Sequence, residues 1–261
     1  MMQTLAQIAR PAVGDVRGTS PDVMAKILQD DVNMTIWQRQ LPVQITDFSA
    51  LLLSLDEPLA DALVLEMADE KARPNLSGLA SRFNDLEGYE SFIADISWLV
   101  SAYACLLGAK RIGLRLRALD KAMCPRFHVD HVPVRLITTY AGIGSQWLKE
   151  GVMERCQLGQ PQAEPLDCWL IEQINTGEVA LLKGEKWQGN EGAGLIHRSP
   201  ALAPGERRLI LTLDWLARGI LFTSINTEAG KNVAQHSHPP DCRSPGGRQN
   251  QSAPAPDDAK A

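Results

Sequence analysis

The stretch HRSPALAPGERRLILTLDW, residues 197–215, reads as a strand end, a turn and a second strand. His197 closes the first strand. Pro200 to Gly205 turn the chain, and Arg208 begins a run whose side chains alternate between two faces. Arg208 and Thr212 are four residues apart and so share a face. Outward from this stretch the same character continues. Gly194–His197, Glu178–Lys183, Cys168–Ile174 and Arg207–Trp215 read as short strands, and Phe127–Tyr140 is strand-like around Pro133. Arg111–Leu119 places Ile112, Leu114, Leu116 and Ala118 on one face and Arg115 and Arg117 on the other. Many short strands separated by Gly and Pro are the pattern of two packed sheets.

The N-terminal half differs. Ser20-Pro21-Asp22 supplies an N-cap, a first-turn Pro and a first-turn acid, and Val23, Met24, Ile27 and Leu28 give the helix that follows an apolar stripe. A short strand at Met34–Arg39 and a short helix at Phe48–Leu55 are expected next. Residues 90–107, ESFIADISWLVSAYACLL, form the clearest helix: Phe92, Ile96, Leu99, Tyr103 and Leu107 recur at helical spacing, and Gly108 stops it. The expected fold is α+β, an N-terminal helical layer packed on a double-sheet β core such as a jelly roll. Its expected divisions are a flexible N-terminus over 1–18, a mainly helical layer over 19–109, the β core with the site over 110–227, and a disordered tail over 228–261. That tail is dominated by Pro, Ser, Gly, Asn, Gln and Asp, which cannot bury enough apolar surface to offset ordering entropy.

Composition narrows the function classes. The 261 residues are 44% hydrophobic and 22% charged, as in an ordinary globular chain. A net charge of −5 disfavours nucleic-acid binding driven by phosphate neutralisation. No apolar run is expected to span a bilayer, and the N-terminus lacks the apolar core of a secretory signal. Five scattered cysteines with no CxxC pair suggest free thiols in a reducing, cytoplasmic setting rather than a zinc ribbon.

The chemistry concentrates on His128-Val129-Asp130, His197 and Arg208. A His-x-acid pair alone recurs by chance. Two apart on a strand, however, His128 and Asp130 point to one face and can hold a single ion, with His197 as the third ligand from another strand. His131 has the wrong parity to join them. Two imidazoles and one carboxylate are the ligand set of non-haem Fe(II) oxygenases. Arg208, with Thr212 beside it, could grip the distal carboxylate of a 2-oxoacid that chelates the metal at its other end. Arg207 competes for that role if the register slips by one.

Glu178 to Trp215 resembles the second half of the double-stranded β-helix of 2-oxoglutarate/Fe(II) dioxygenases. The resemblance extends over roughly residues 110–220. It implies His128, Asp130 and His197 as metal ligands, with Arg208 and Thr212 binding 2-oxoglutarate and Fe(II) as cofactor. Arg208-Leu209-Ile210-Leu211-Thr212 is similar to the co-substrate strand of the prolyl-hydroxylase and nucleic-acid-demethylase branches. Asp214 stands where the demethylase branch has a second Arg, which argues against a nucleic-acid substrate of that type. More narrowly, CPRFHVDHVPVRLITTYAGIGSQWL (124–148), EVALLKGEKW (178–187) and HRSP (197–200) resemble the bacterial family called domain of unknown function 1826.

The expected activity is therefore a 2-oxoglutarate-dependent hydroxylation of an unidentified small-molecule or protein substrate. A second reading keeps the fold and ligands but holds Zn(II) without catalysis, in metal homeostasis; Arg208 has no task in that reading. Elsewhere, His236, His238 and Cys242 read as part of a solvated tail rather than a zinc site. Gly142, Gly144 and Ser145 read as a turn rather than a phosphate loop. Among the tryptophans of the β half, Trp187, in a Gly-flanked loop, is the one most suited to a ligand platform.

Overall fold

A computed structural model describes residues 13–68 and 73–216. The expectation of a disordered 228–261 tail, and of solvated His236, His238 and Cys242 within it, lies outside these residues, as does most of the expected flexible N-terminus.

The chain runs β1 (Gly14–Gly18), a 3₁₀ helix at Pro21–Leu28, β2 (Val32–Trp37), α1 (Val43–Ser54), β3 (Ala60–Glu66), α2 (Tyr89–Leu107), β4 (Arg111–Leu119) and β5 (Val134–Ala141). It continues with β6 (Gln146–Leu148), β7 (Ile171–Gln173), β8 (Val179–Lys183), β9 (His197–Arg198) and β10 (Arg208–Trp215). A seven-stranded sheet has the order β1-β2-β8-β5-β10-β4-β3, and a three-stranded sheet the order β7-β6-β9. All neighbours pair antiparallel except β1 and β2. The architecture is mixed α+β, with one large sheet and few helices.

Alternation on β10 organises the layers. Leu209, Leu211 and Leu213 face the larger core, shared with Phe48 and Leu52 of α1 and with Phe92, Ile96 and Leu99 of α2. Ile210 faces the other way, into a second cluster with Ile137, Ala180 and Leu182 of the large sheet and Trp147 of the small one. Helices thus cover one face and the small sheet the other. Arg208, Thr212 and Asp214, in phase with Ile210, lie on the face toward the small sheet.

α2 matches its sequence pattern closely. Phe92, Ile96, Leu99, Val100, Tyr103 and Leu107 are buried, and Gly108 closes the helix at φ 60°, a conformation costly for residues with a Cβ. By length and composition this helix could cross a membrane, contrary to the sequence expectation. Its apolar stripe is buried in the core, which accounts for that hydropathy. A polar tie fixes it to the sheet: Arg39 donates to both oxygens of Asp95 (2.6 and 2.9 Å), and the Tyr140 hydroxyl donates to Asp95 Oδ2 (2.6 Å). Such charged, part-buried hydrogen bonds contribute about 1.5–3 kcal/mol each.

Several expectations need correction. Residues 19–109, expected to be mainly helical with one short strand at Met34–Arg39, hold a second strand, β3, and both β2 and β3 belong to the large sheet. Residues 14–18, expected to be loose, form β1 by parallel pairing with β2. The segment opened by Ser20 is 3₁₀ rather than α, although the Ser20 Oγ does accept from the Asp22 N–H (3.4 Å). Phe127–Tyr140 is not one strand: regular pairing begins only at Val134, after the proline that lacks an N–H. Of the expected free thiols, Cys105, Cys124 and Cys168 are free.

Candidate functional site

His128 and His197 face each other across an isolated antiparallel bridge. Each N–H donates to the other's carbonyl, both at 3.0 Å, and the rings lie 4.6 Å apart. Asp130 is not on a continuous strand with His128, as the sequence suggested. It lies in irregular backbone pinned by the loop after β8, where Glu185 N–H donates to Asp130 O (2.9 Å) and Gly184 N–H to Pro133 O (2.9 Å). A Cβ on Gly184 would overlap the carbonyl oxygens of Val132 and Asp130, so only glycine permits this approach.

The outcome is convergence. One nitrogen from each imidazole and one oxygen of Asp130 all lie within 4.8 Å of one another. His197 Nε2 is 3.3 Å from Asp130 Oδ2, and His128 Nε2 is 3.8 Å from Asp130 Oδ1. Both Nδ1 atoms face backbone carbonyls, of Arg126 (2.9 Å) and Leu195 (3.0 Å). A carbonyl only accepts, so each Nδ1 carries the hydrogen and each Nε2 keeps its lone pair for an ion. Burial, and then the neighbouring His197, hold the His128 imidazole below its ordinary range, favouring the neutral, ligating form. Burial opposes ionisation of Asp130, but His197 and Arg135 outweigh it and keep the carboxyl well below the usual carboxylate range. Asp130 Oδ2 is buried and accepts no hydrogen bond. An ionised oxygen with charged neighbours but no aligned hydrogen bond keeps lone pairs for a cation. The donor set therefore fits a divalent metal.

Behind Asp130 stands a charged chain that the sequence did not reveal. Arg135 Nη1 lies 2.8 Å from Asp130 Oδ2. Arg135 is itself held by Asp214, through Nε to Oδ1 (2.7 Å) and Nη2 to Oδ2 (3.0 Å). Arg115 adds a further donor to Asp214 Oδ2 (2.6 Å). Cross-strand register brings them together: Asp214 of β10 is opposite Arg135 of β5, and Arg115 of β4 is opposite Thr212. Burial works against the Arg135 charge, but Asp214 and Asp130 more than offset it and raise its pKa. Asp214, seen in sequence only as a departure from the demethylase pattern, is the anchor of this chain.

Arg208 is completely buried. Its guanidinium donates to Thr139 Oγ1 (3.1 Å), Ser145 Oγ (3.0 Å) and Ser199 Oγ (3.4 Å), while its Nε has no partner. No carboxylate among the described residues pairs with it. Burial without a counter-charge lowers its pKa to about 10. Ser199 is two residues beyond His197, and Thr212 is buried farther along the same face of β10. Arg207 points elsewhere: its guanidinium donates to Leu53 O (2.8 Å) and Glu57 O (3.2 Å) at the end of α1. The register ambiguity is resolved in favour of Arg208 as the inward arginine. Ser145, read as part of a turn, proves to be one of its hydroxyl partners. His131 is exposed and outside the cluster.

Comparison with known proteins bears out the narrower of the two sequence resemblances. Residues 18–214 match the family described as protein of unknown function (DUF1826), and the chain belongs to that family. Curated protein sequences gave no match. Among solved structures, dioxygenase for auxin oxidation 1 from Arabidopsis thaliana, in a binary complex with 2-oxoglutarate, aligns at TM-score 0.42 and 10% identity, covering 78% of this chain and 92% of that one. A prolyl-4-hydroxylase from Pseudomonas putida aligns at 0.40 and 14%, covering 76% and 98%. A putative oxygenase from Shewanella oneidensis aligns at 0.43 and 8%, covering 78% and 89%.

Proposed function

We propose that this member of the DUF1826 family is a non-haem Fe(II)/2-oxoglutarate-dependent dioxygenase built on a double-stranded β-helix, hydroxylating an unidentified small-molecule or protein substrate. His128, Asp130 and His197 would hold the metal, and Arg208 with Thr212 the co-substrate. The observation that carries this reading is Arg208. A fully buried guanidinium that meets only hydroxyls bears a desolvation cost of several kcal/mol without a counter-ion. A dicarboxylate reaching down β10 from the metal would supply that counter-ion.

The chain's own residues divide the work. The Nδ1–carbonyl contacts hold both imidazoles so that Nε2 would be the ligating atom of each. Asp130 contributes the one negative charge, held in place by Arg135. Arg208 would orient 2-oxoglutarate by its distal carboxylate, with the Thr212 hydroxyl in reach of the same end. Fe(II), when bound, supplies the oxygen chemistry: O₂ is reduced as 2-oxoglutarate loses CO₂ to become succinate and substrate is hydroxylated.

The test is anaerobic titration of purified protein with Fe(II) and 2-oxoglutarate. A weak visible charge-transfer band, and succinate formed once O₂ is admitted, are expected. Tight Zn(II) binding with no 2-oxoglutarate binding would instead favour a storage or trafficking role, in which Arg208 has no task.

A further inference from the structure

The loop after β8 that pins Asp130 also walls a cavity of about 1050 Å³, large enough for a small organic ligand. None of His128, Asp130, His197 or Arg208 lines it. Trp187 and Trp215 supply flat apolar surface, and Lys183, the last residue of β8, lines the cavity with them. Lys183 is only 2% exposed. Its Nζ donates to Gln29 O (2.6 Å) and lies 4.9 Å from the Trp187 ring centroid. An ammonium has three N–H donors, so this one keeps capacity for a ligand. No carboxylate among the described residues forms an ion pair with Lys183. Of the other lining charges, Arg155 and Glu150 neutralise each other (Nε to Oε1, 3.0 Å), Lys186 is exposed, and exposed Asp30, with Asp31 next to it, acts on Lys183 by charge without forming an ion pair. Lys183 is the one buried charge among the residues that line the cavity. The wall is also preformed: Asn190 donates to Asn33 Oδ1 (3.1 Å), and Asn33 donates to Ala193 O (2.7 Å).

From the buried unpaired ammonium beside an indole in a ligand-sized cavity, we infer that this cavity is a second binding site, for a flat organic anion whose carboxylate meets Lys183 and whose ring lies on Trp187. The inference is independent of the metal reading. Burial holds the Lys183 pKa below its ordinary value, and a bound carboxylate would raise it.

The test uses the full-length, metal-free protein and two probes of like shape and opposite charge, 2-naphthoate and 2-naphthylmethylamine, by calorimetry. One naphthoate per chain is expected, with the amine weaker by about tenfold or more, the weight of one charged hydrogen bond. Lys183→Met should weaken naphthoate by a similar factor while the protein stays folded, since it removes an uncompensated buried charge at nearly constant volume. Trp187→Leu should weaken both probes. Saturating 2-oxoglutarate should leave naphthoate binding unchanged. The inference is overturned if the amine binds as well as the acid, if Lys183→Met retains wild-type naphthoate affinity, or if 2-oxoglutarate displaces the probe, which would place it at Arg208.

Discussion

Arg135 Nη1 approaches Asp130 Oδ2 to 2.8 Å, yet that oxygen accepts no hydrogen bond. The guanidinium is angled to serve Asp214, to which it gives two bonds. It attracts Asp130 by charge and leaves the oxygen's lone pairs for something else. Asp214 is thus a positioning residue, acting on Asp130 through Arg135. Asp214→Asn should weaken the buried ionic chain by about 3–5 kcal/mol, the range for removing one partner of a buried pair. Denaturant unfolding at neutral pH would show it. Equal stability of the variant and wild type would mean the chain is not coupled as the distances imply.

Removing a proposed ligand should weaken metal binding severely. Asp130→Ala and His197→Ala should each lower Fe(II) or Zn(II) affinity by more than the about 10–100-fold typical of changes to the groups behind metal ligands. Succinate formation should vanish in both. Metal content after dialysis against a chelator is the direct readout. If either variant keeps stoichiometric metal, these side chains are not the ligands.

Arg208 offers an unusual signature. Arg208→Met should cost little stability, or raise it, because an unpaired buried cation is replaced by an apolar chain. It should nonetheless weaken 2-oxoglutarate binding by about 2–5 kcal/mol. Thermal unfolding with and without 2-oxoglutarate separates the two effects: only the wild type should gain stability from the ligand. The pH dependence has a definite sign. A base whose folded pKa falls to about 10 carries its charge, and its cost to stability, below that pH, and sheds both as pH rises through it. Wild-type affinity for 2-oxoglutarate should accordingly decline as pH climbs toward 10. Loss of affinity in step with loss of folding in Arg208→Met would point to a structural arginine instead.

Gly184 joins the fold to the site. Gly184→Ala would drive a methyl group into the carbonyls of Val132 and Asp130, forcing the ligand segment outward. Overpacking of this kind costs about 1–3 kcal/mol. Metal affinity should fall along with the melting temperature, whereas alanine at Gly189, whose Cβ would meet nothing within 4 Å although its φ is 85°, should leave metal affinity unchanged. Comparable metal loss in both would remove the special role of Gly184.

Much of this was legible in the chain, for reasons that differ by residue. Phe92 to Leu107 and Leu209 to Leu213 announce themselves because burial imposes a period of 3.6 or 2 on the side chains. His128, Asp130, His197 and Arg208 could be picked out because their spacing suits one ion and one carboxylate. β1, β3 and β6 escaped notice: each is short or amphipathic in no clear phase, and exists because a neighbour supplies its hydrogen bonds. The continuous strand expected through Asp130 was wrong for a local cause, Pro133, and a distant one, the backbone of Gly184 and Glu185.

By itself the sequence determined which groups could take part: two imidazoles, a carboxylate, an inward arginine on an alternating strand, and a helix with one apolar face. These follow from local periodicity and side-chain chemistry. Only the tertiary structure decided that Arg135 would stand between Asp130 and Asp214, that Arg208 rather than Arg207 would be buried without a counter-charge, and that Lys183 would lie over the Trp187 ring in the wall of a cavity. Those relations depend on cross-strand register and on loops meeting over long separations. A one-residue slip would undo them, and nothing in the order of the letters measures it.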